Sequence, residues 1–370
     1  GKKMMFYEKS RYLSLLACGG SGSGKTSLIL EPMMAKDIEK KAFYIANAKE
    51  MGYTALKTGI AVLNRPYDNE YLNENFNLNM ITPVTGKEAV YKAYMKKMIL
   101  SAFDDEIIYR NLGLTLVSPD FESVSRIMKV CKNYHIKCNI IDPSNPNSKG
   151  LNPFVYDDPT KIAVTISSVL KGMFSSSSLK KEEMYREEFI IQALENISIM
   201  LKETEKDIYI AVAQLDNILR LPGVKNILCN RNDNIDFDKA LEKGEITLVC
   251  TRRGDLGRTT HRAFGLFFIL SMQNAVLRRA GNENSRIPHF LYIDEFPDFI
   301  CKDTEAIFTL YRKYKVAAAI TAQNLSQLEG NVPDMKYKET ILSNCANKIF
   351  VGNGTPEDLE WWEKDLELKR

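Results

Sequence analysis

Eight residues near the start of the chain restrict it to a narrow set of folds. Residues 19–26 read GGSGSGKT, which satisfies the pattern Gly-x-x-x-x-Gly-Lys-Thr. A short apolar run at residues 13–17 precedes them, and an apolar pattern with helical spacing follows. A glycine-rich loop between a strand and a helix is typical of a phosphate-binding loop, whereas a glycine-rich linker needs neither neighbour. The sequence therefore predicts a nucleotide-binding α/β domain.

The residue types of this loop suit a nucleoside triphosphate. Its four glycines let the backbone turn N–H groups inward, and the following helix directs its positive end at the same point. Lys25 is expected to reach the β- and γ-phosphates, and Thr26 to supply a ligand for Mg²⁺. We therefore predict ATP and Mg²⁺ as cofactors. The predicted nucleotide-binding residues are Gly19, Gly20, Ser21, Gly22, Ser23, Gly24, Lys25, Thr26 and Ser27.

Composition favours a large globular protein of a reducing compartment. The chain has 370 residues, 45% of them hydrophobic, which is enough for a substantial core. Its seven cysteines are odd in number and scattered, which argues against a disulfide framework. No apolar run reaches the roughly 18 residues of a membrane-spanning helix, and no signal peptide is evident.

Two weaker features concern metal and nucleic acid. Cys131, His135 and Cys138 suggest zinc, but no second ligand pair stands nearby and the intervening lysines suit an exposed helix end, so we predict no zinc site. The net charge of +3 does not by itself indicate nucleic acid. A local basic surface that binds nucleic acid is compatible with this net charge. The candidate residues for such a surface are Arg252, Arg253 and Arg258, and the alternative is that they belong to a solvated loop.

Strand and helix patterns alternate along the chain as in a parallel α/β sheet. Strands are predicted at 42–45, 112–117, 138–141, 246–250, 290–293 and 316–321, and helices at about 257–280 and 304–314. We predict an insertion at residues 50–111, because this segment is rich in Asn and Tyr and contains Pro and Gly residues that interrupt helices and strands. The predicted organisation is a nucleotide-binding domain in two parts, 1–156 and 245–370, with an all-α domain, 157–244, between them.

A second chemical motif lies at the end of a predicted central strand. Residues 290–293 are continuously apolar and run directly into Asp294 and Glu295. Carboxylates at the carboxyl end of a parallel strand face the nucleotide crevice. Asp294 is suited to hold Mg²⁺, and Glu295 to orient the water that attacks the γ-phosphate. The alternative is that these acids simply end a strand.

A third motif follows the strand at 316–321, which ends in Ala322 and Gln323. A polar residue at this strand tip can contact the γ-phosphate, so we predict Gln323 as a sensor, with an exposed strand-end glutamine as the alternative. Upstream, Arg312 is a candidate catalytic residue, although its lysine neighbours also fit a solvated basic face.

Three segments in this order, 19–26, 290–297 and 311–328, resemble the coupling ATPases of conjugative type IV secretion. The run YRKYKVAAAITAQNLSQLE at 311–329 is the most specific match beyond the phosphate loop. The resemblance covers nearly the whole chain and implies a RecA-like motor with an all-α domain inserted in its sheet. It places Arg312 where the family has an arginine that acts across a subunit interface. The turn Ser-Pro-Asp-Phe at 118–121 departs from the family's Asp-Pro-Lys-Gly-like turn.

The resemblance also implies partners and a location. They are DNA with its relaxase (the relaxosome), subunits of the secretion channel, and copies of the chain in a homohexamer. Family members are anchored by amino-terminal transmembrane helices, which have no counterpart in this sequence. We therefore expect a place on the cytoplasmic face of the bacterial plasma membrane through an anchor outside the sequence, and a monomer in its absence. The large insertion suggests the branch from Gram-positive conjugative elements.

Four alternatives stay open at this point. A channel-associated secretion ATPase and a septal-type double-strand DNA translocase share the same site chemistry. A substrate adaptor that binds nucleotide without hydrolysing it would not need a water-activating acid, so the pair at 294–295 argues against it. A metabolic kinase would need a small-substrate pocket, for which the sequence has no evident pattern.

Overall fold

Seven parallel strands form one sheet in the computed structural model, which describes residues 8–63, 112–153, 222–281, 286–329 and 336–367 and a few residues between 158 and 166. The strands are β1 Leu15–Cys18, β2 Gly113–Ser118, β3 Cys138–Ile141, β4 Ile246–Cys250, β5 His289–Ile293, β6 Val316–Ala322 and β7 Asn347–Phe350. Their order is β3-β4-β2-β5-β6-β1-β7, and all neighbours are parallel. The predicted α/β fold with a parallel sheet is confirmed.

The inner strands are buried along their whole length and mostly apolar, as is typical of a parallel sheet that is covered on both faces. Every residue of β4, β5 and β6 is buried, whereas the two edge strands, β3 and β7, are mostly half-buried. The periodicity of two that marks a one-sided sheet is therefore absent from the described inner strands. Five of the six strands predicted above were found where the sequence placed them, and four of these five are inner strands of this kind.

The position of β6 defines the type of fold. It lies between β1, which leads into the phosphate loop, and β5, which leads into the acidic pair. The register pairs Cys18 with Ala322 and Ile293 with Ile320, so the three strands end at nearly the same level. This is the RecA-like arrangement, and it brings three chain segments that are far apart in sequence to one edge of the sheet.

Helices alternate with the strands along the chain. They are α1 Glu8–Arg11, α2 Glu31–Leu63, α3 Phe121–Asn133, α4 Pro222–Leu228, α5 Phe237–Lys243, α6 Arg253–Arg278, α7 Ala306–Thr309, α8 Tyr337–Asn344 and α9 Pro356–Glu367. Helix α6 is buried along most of its length and contributes more residues to the main core than any other described helix. Gly257 interrupts its first turns with non-helical backbone angles. None of the described helices is long and apolar enough to cross a membrane.

Two local predictions were wrong. Residues 42–45 form part of helix α2 and not a strand, because a short apolar run without Gly or Pro around it fits either structure. Residues 304–314 form the short helix α7 with a 3₁₀ turn on each side of it, and not one continuous helix. There the Thr304 hydroxyl donates to the Cys301 carbonyl at 2.9 Å and accepts from the Cys301 N–H at 3.1 Å, and such bonds compete with helical ones.

The chain divides into two units, Gly1–Ile38 with Leu112–Arg370, and Glu39–Asn111. The second unit contains most of α2. Residues 64–111 of this unit, which include most of the predicted insertion, lie outside the part of the chain that the structure describes. The predicted all-α domain, 157–244, is also largely outside it. Its described helices, α4 and α5, pack into the same core as the sheet through Val224, Ile227, Phe237 and Leu241.

Candidate nucleotide-binding site

The phosphate loop has the backbone that its glycines permit. Gly22 and Gly24 have φ values of 75° and 89°, in the left-handed region that residues with a Cβ rarely adopt. Gly19 is required for a different reason, because a Cβ there would lie 1.9 Å from the carbonyl oxygen of Val351. The loop therefore needs glycine at these positions for conformation and for close packing.

The loop is held between two strand tips. The N–H of Gly19 donates to the carbonyl of Ala322 at 3.2 Å, which ties the loop to the end of β6. On the other side, the N–H of Val351, just after β7, donates to the Cys18 carbonyl at 2.8 Å. The loop is thus fixed to the sheet on both sides.

Lys25 lies inside this loop. Its side chain is buried, and its Nζ donates to the carbonyl oxygens of Gly19 at 2.7 Å and Gly20 at 3.0 Å. A π-helical turn, Lys25–Leu30, follows directly and leads into α2. Such turns are frequent at functional sites. The ammonium group is therefore held against the loop, where a bound polyphosphate would meet it.

Thr26 and Asp294 lie together, although 268 positions separate them in sequence. The Thr26 hydroxyl contacts both carboxylate oxygens, at 2.9 and 3.0 Å. Asp294 is buried, and burial raises its pKa, an effect opposed by the hydrogen bonds from Thr321 and Thr26 and by the charge of Lys25. The two predicted Mg²⁺ ligands thus form one hydroxyl–carboxylate pair.

Glu295 occupies a left-handed backbone position, with φ at 52°. The side-chain amide of Gln323 donates to its carboxylate at 3.1 Å, so the structure brings the predicted water-orienting acid and the predicted sensor together. Burial raises the pKa of Glu295, and the neighbouring charge of Asp294 raises it further. A carboxylate with a raised pKa is better suited to accept a proton.

One residue of this cluster was missed from the sequence. The buried hydroxyl of Thr321 donates to Asp294 at 2.7 Å and accepts from the Glu295 N–H at 2.8 Å. It therefore holds both acids at once. A threonine within an otherwise apolar strand, two residues before the predicted sensor, was the available signal.

The remaining predicted residues lie at different distances from this cluster. Ser21 and Ser27 are exposed on the loop and at the start of the following turn. Arg312 is exposed in the turn Tyr311–Tyr314, which precedes the amino end of β6. Because β6 rises by about 3.3 Å per residue, Arg312 is roughly 20 Å from the site at the other end of the strand. The structure does not bring Arg312 to the nucleotide site of its own chain.

The residues present fit a magnesium nucleotide. The Ser23 hydroxyl is buried within the loop and has no hydrogen-bond partner among the described residues. No group of three His, Cys, Asp or Glu side chains forms a metal cage in the described part of the chain. Mg²⁺ in nucleotide sites needs only one or two protein oxygens, since phosphates and water complete its shell. One carboxylate, one hydroxyl and a lysine at a phosphate loop match that requirement.

The family comparison matches the second half of this site. Residues 288–364 match the family model described as the TraM recognition site of TraD and TraG. The segment includes β5, the acidic pair, β6 and Gln323. The match confirms the resemblance to conjugative coupling proteins that the motifs predicted. No curated protein matches the chain.

The chain also matches solved structures at low sequence identity. The unbound bacterial conjugative coupling protein TrwBdeltaN70 has 12% identity and a TM-score of 0.48, over 98% of this chain and 73% of that one. TrwB in complex with ADP and Mg²⁺ has 13% identity and a TM-score of 0.49, over 95% and 73%. VirB4 of Thermoanaerobacter pseudethanolicus has 16% identity and a TM-score of 0.42, over 75% and 78%.

Proposed function

We propose that this chain, whose residues 288–364 match the conjugative coupling-protein family, binds and hydrolyses ATP to drive a DNA–relaxase substrate toward a type IV secretion channel. The observation that carries the proposal is the convergence of three groups at the carboxyl edge of the sheet. The phosphate loop with Lys25, the pair Thr26 and Asp294, and the pair Glu295 and Gln323 meet there.

The chain's own residues divide the work of hydrolysis. Lys25, Ser23 and the loop N–H groups would hold the phosphates, and Thr26 with Asp294 would hold Mg²⁺. When bound, Mg²⁺ neutralises charge on the β- and γ-phosphates. Glu295 would orient a water and accept its proton, and the Gln323 amide would keep the carboxylate directed at that point.

Hydrolysis is favoured over a purely structural nucleotide. An adaptor requires only the loop and the cation ligands, because these supply binding. Glu295 directly follows Asp294 and is held by two partners. Its N–H donates to the Thr321 hydroxyl, and its carboxylate accepts from the Gln323 amide. A half-buried acid held in this way loses part of its hydration, and a water-orienting role explains why it is held there.

The proposed partners follow from the matched segment. The family description names recognition of TraM, and this supports a relaxosome component as the partner of residues 288–364. We further propose channel subunits and a homohexamer as the working assembly, at the cytoplasmic face of the bacterial plasma membrane. A channel-associated ATPase or a septal translocase would use the same site, and the family match favours the coupling role.

Steady-state ATP hydrolysis, measured with and without single- and double-stranded DNA, tests the proposal. We expect hydrolysis that depends on Lys25 and Glu295 and that DNA increases. Nucleotide binding with no hydrolysis under any of these conditions would identify an adaptor and reject the motor. Hydrolysis that DNA does not change would leave an ATPase but reject its coupling to DNA.

A further inference from the structure

A basic loop follows β4 at the same edge of the sheet as the nucleotide site. Its sequence is RRGDLGRTT, residues 252–260, and we call it the arginine loop. It comprises the first turns of α6 and the interruption at Gly257. Nothing in the proposed hydrolysis uses it, although it contacts the turn that follows Glu295.

The start of the arginine loop is fixed to the sheet. Arg252 has left-handed backbone angles and makes two hydrogen bonds to the buried carboxylate of Asp142, both at 2.8 Å. The N–H of Arg253 donates to the carbonyl of Pro119, beyond the end of β2, at 3.2 Å. The loop therefore leaves the sheet in a defined direction, and Arg252 is committed to this anchoring role.

The outer part of the loop faces solvent. Arg253 and Arg258 are exposed, and no ion pair or hydrogen bond of the Arg258 side chain is found among the described residues. A Cβ added at Gly254 or Gly257 would have no atom within 4 Å. An extended polyanion could therefore approach the backbone between the two arginines without a steric obstacle.

Arg253 connects this surface to the nucleotide site. Its Nη1 lies 2.8 Å from Oδ2 of Asp298, and His261, which is fully buried, contacts the same oxygen at 3.2 Å. The N–H of Asp298 donates to the carbonyl of Glu295 at 3.1 Å, which closes the turn Phe296–Phe299. Two consecutive contacts thus separate the exposed guanidinium from the water-orienting acid.

We infer that the arginine loop binds the phosphate chain of a nucleic acid, and that the Arg253–Asp298 ion pair makes the placement of Glu295 depend on this binding. A phosphate competes with Asp298 for Arg253, because guanidinium binds both anions through the same paired N–H groups. When Arg253 turns to a phosphate, Asp298 keeps its contact with His261 but loses its ion pair, so the turn after Glu295 is held by fewer contacts. The inference rests on the proposed function and assigns it a nucleic-acid contact.

Binding is measured with a fluorescently labelled oligonucleotide by anisotropy over a series of salt concentrations. The double variant Arg253→Gln, Arg258→Gln should lose about tenfold or more in affinity, and the slope of log affinity against log salt should fall by about 1 to 2. The matched control is Arg278→Gln at the other end of α6, where the arginine is also paired with an aspartate, Asp238, at 3.3 Å. It should bind as the wild type does.

The link to Glu295 is measured as the ratio of ATP hydrolysis with a saturating oligonucleotide to hydrolysis without it. Asp298→Asn should bind the oligonucleotide but lose most of this stimulation ratio. Because Asp298 is largely buried, circular dichroism is used to check that Asp298→Asn folds. The single variant Arg253→Gln breaks the same ion pair by changing an exposed side chain. At an oligonucleotide concentration that saturates it, Arg253→Gln should also show a reduced ratio.

Several outcomes would overturn the inference. The wild type could fail to bind the oligonucleotide, or the double variant could bind it as tightly as the wild type does. The stimulation ratio could also be unchanged in Asp298→Asn. An acidic peptide such as polyglutamate that binds through these arginines when the oligonucleotide does not would assign the loop to a protein partner instead. If the wild type does not hydrolyse ATP, the proposed function fails while the anisotropy result still decides what the loop binds.

Discussion

Thr321 and Asp294 are joined by a 2.7 Å hydrogen bond that crosses from β6 to the residue after β5. The same hydroxyl accepts from the N–H of Glu295, so one side chain fixes the cation ligand and the water-orienting acid relative to each other. The strand that carries the predicted sensor is thereby tied to both acids. Movement of β6 relative to β5 would change all three positions together.

Replacing this hydroxyl should reduce turnover more than nucleotide binding. Thr321→Val leaves the N–H of Glu295 without its partner and removes one of the hydrogen bonds that the buried Asp294 carboxylate accepts, which costs about 1–3 kcal/mol of stability. Thr321→Ser keeps the hydroxyl and should retain most activity. The control is Thr115→Val in β2, where a buried hydroxyl contacts His289 at 2.9 Å away from the site. We expect thermal unfolding to shift in both valine variants, but turnover to fall only in Thr321→Val.

Binding and hydrolysis should separate in two further variants. Lys25→Ala removes the buried ammonium group from the phosphate loop and should weaken ATP binding. Glu295→Gln keeps the size of the side chain and should bind ATP nearly as the wild type does, while turnover falls by about 100-fold or more. Calorimetric binding and steady-state hydrolysis measure the two effects. The control is Glu339→Gln, which changes an exposed acid on α8. Equal turnover in Glu295→Gln and the wild type would remove Glu295 from the mechanism.

Asp298 should contribute to stability in a pH-dependent way. Burial acts to raise its pKa, but the hydrogen bond from His261 and the charge of Arg253 outweigh burial and hold the pKa below the usual value. A carboxylate with a lowered pKa in the folded state stabilises the fold above the unfolded pKa of about 3.9, and this stabilisation is lost as the pH falls through the folded value.

Thermal unfolding from pH 7 to pH 2 measures this contribution. Because asparagine does not titrate, Asp298→Asn should lose less stability below about pH 4 than the wild type does. Asp255→Asn changes an exposed acid of the arginine loop and serves as the control. Identical acid profiles for the wild type and Asp298→Asn would contradict the assignment of a lowered pKa.

Sequence patterns predicted the sheet and the segments that meet at its carboxyl edge. Buried parallel strands have continuous apolar runs, and the chain direction fixes which end of each strand carries the polar groups. The sequence could not predict contacts between side chains on different strands. Arg252 and Asp142 are 110 positions apart, and Thr321 has the pattern of an ordinary strand residue. Such pairings depend on strand order, which the pattern of a single strand does not contain.

The last prediction concerns Arg312, which the structure places at the amino edge of the sheet, away from its own phosphate loop. In a ring of subunits, an exposed arginine can complete the site of a neighbour, and such arginines increase phosphoryl transfer by about 10³-fold or more. Arg312→Ala should therefore bind ATP normally and hydrolyse it poorly. Lys313→Ala alters the adjacent exposed cation of the same turn and should retain activity.

Mixing variants tests whether the arginine acts between subunits. An Arg312→Ala subunit keeps an intact phosphate loop, and a Lys25→Ala subunit keeps the arginine, so an interface between them has one complete site. Hydrolysis by the mixture should exceed the sum of the two variants measured alone. If assemblies form, as sedimentation would establish, and no mixture recovers activity, Arg312 does not act across the interface. Its place at the edge of the sheet would then mark it as part of a solvated basic surface.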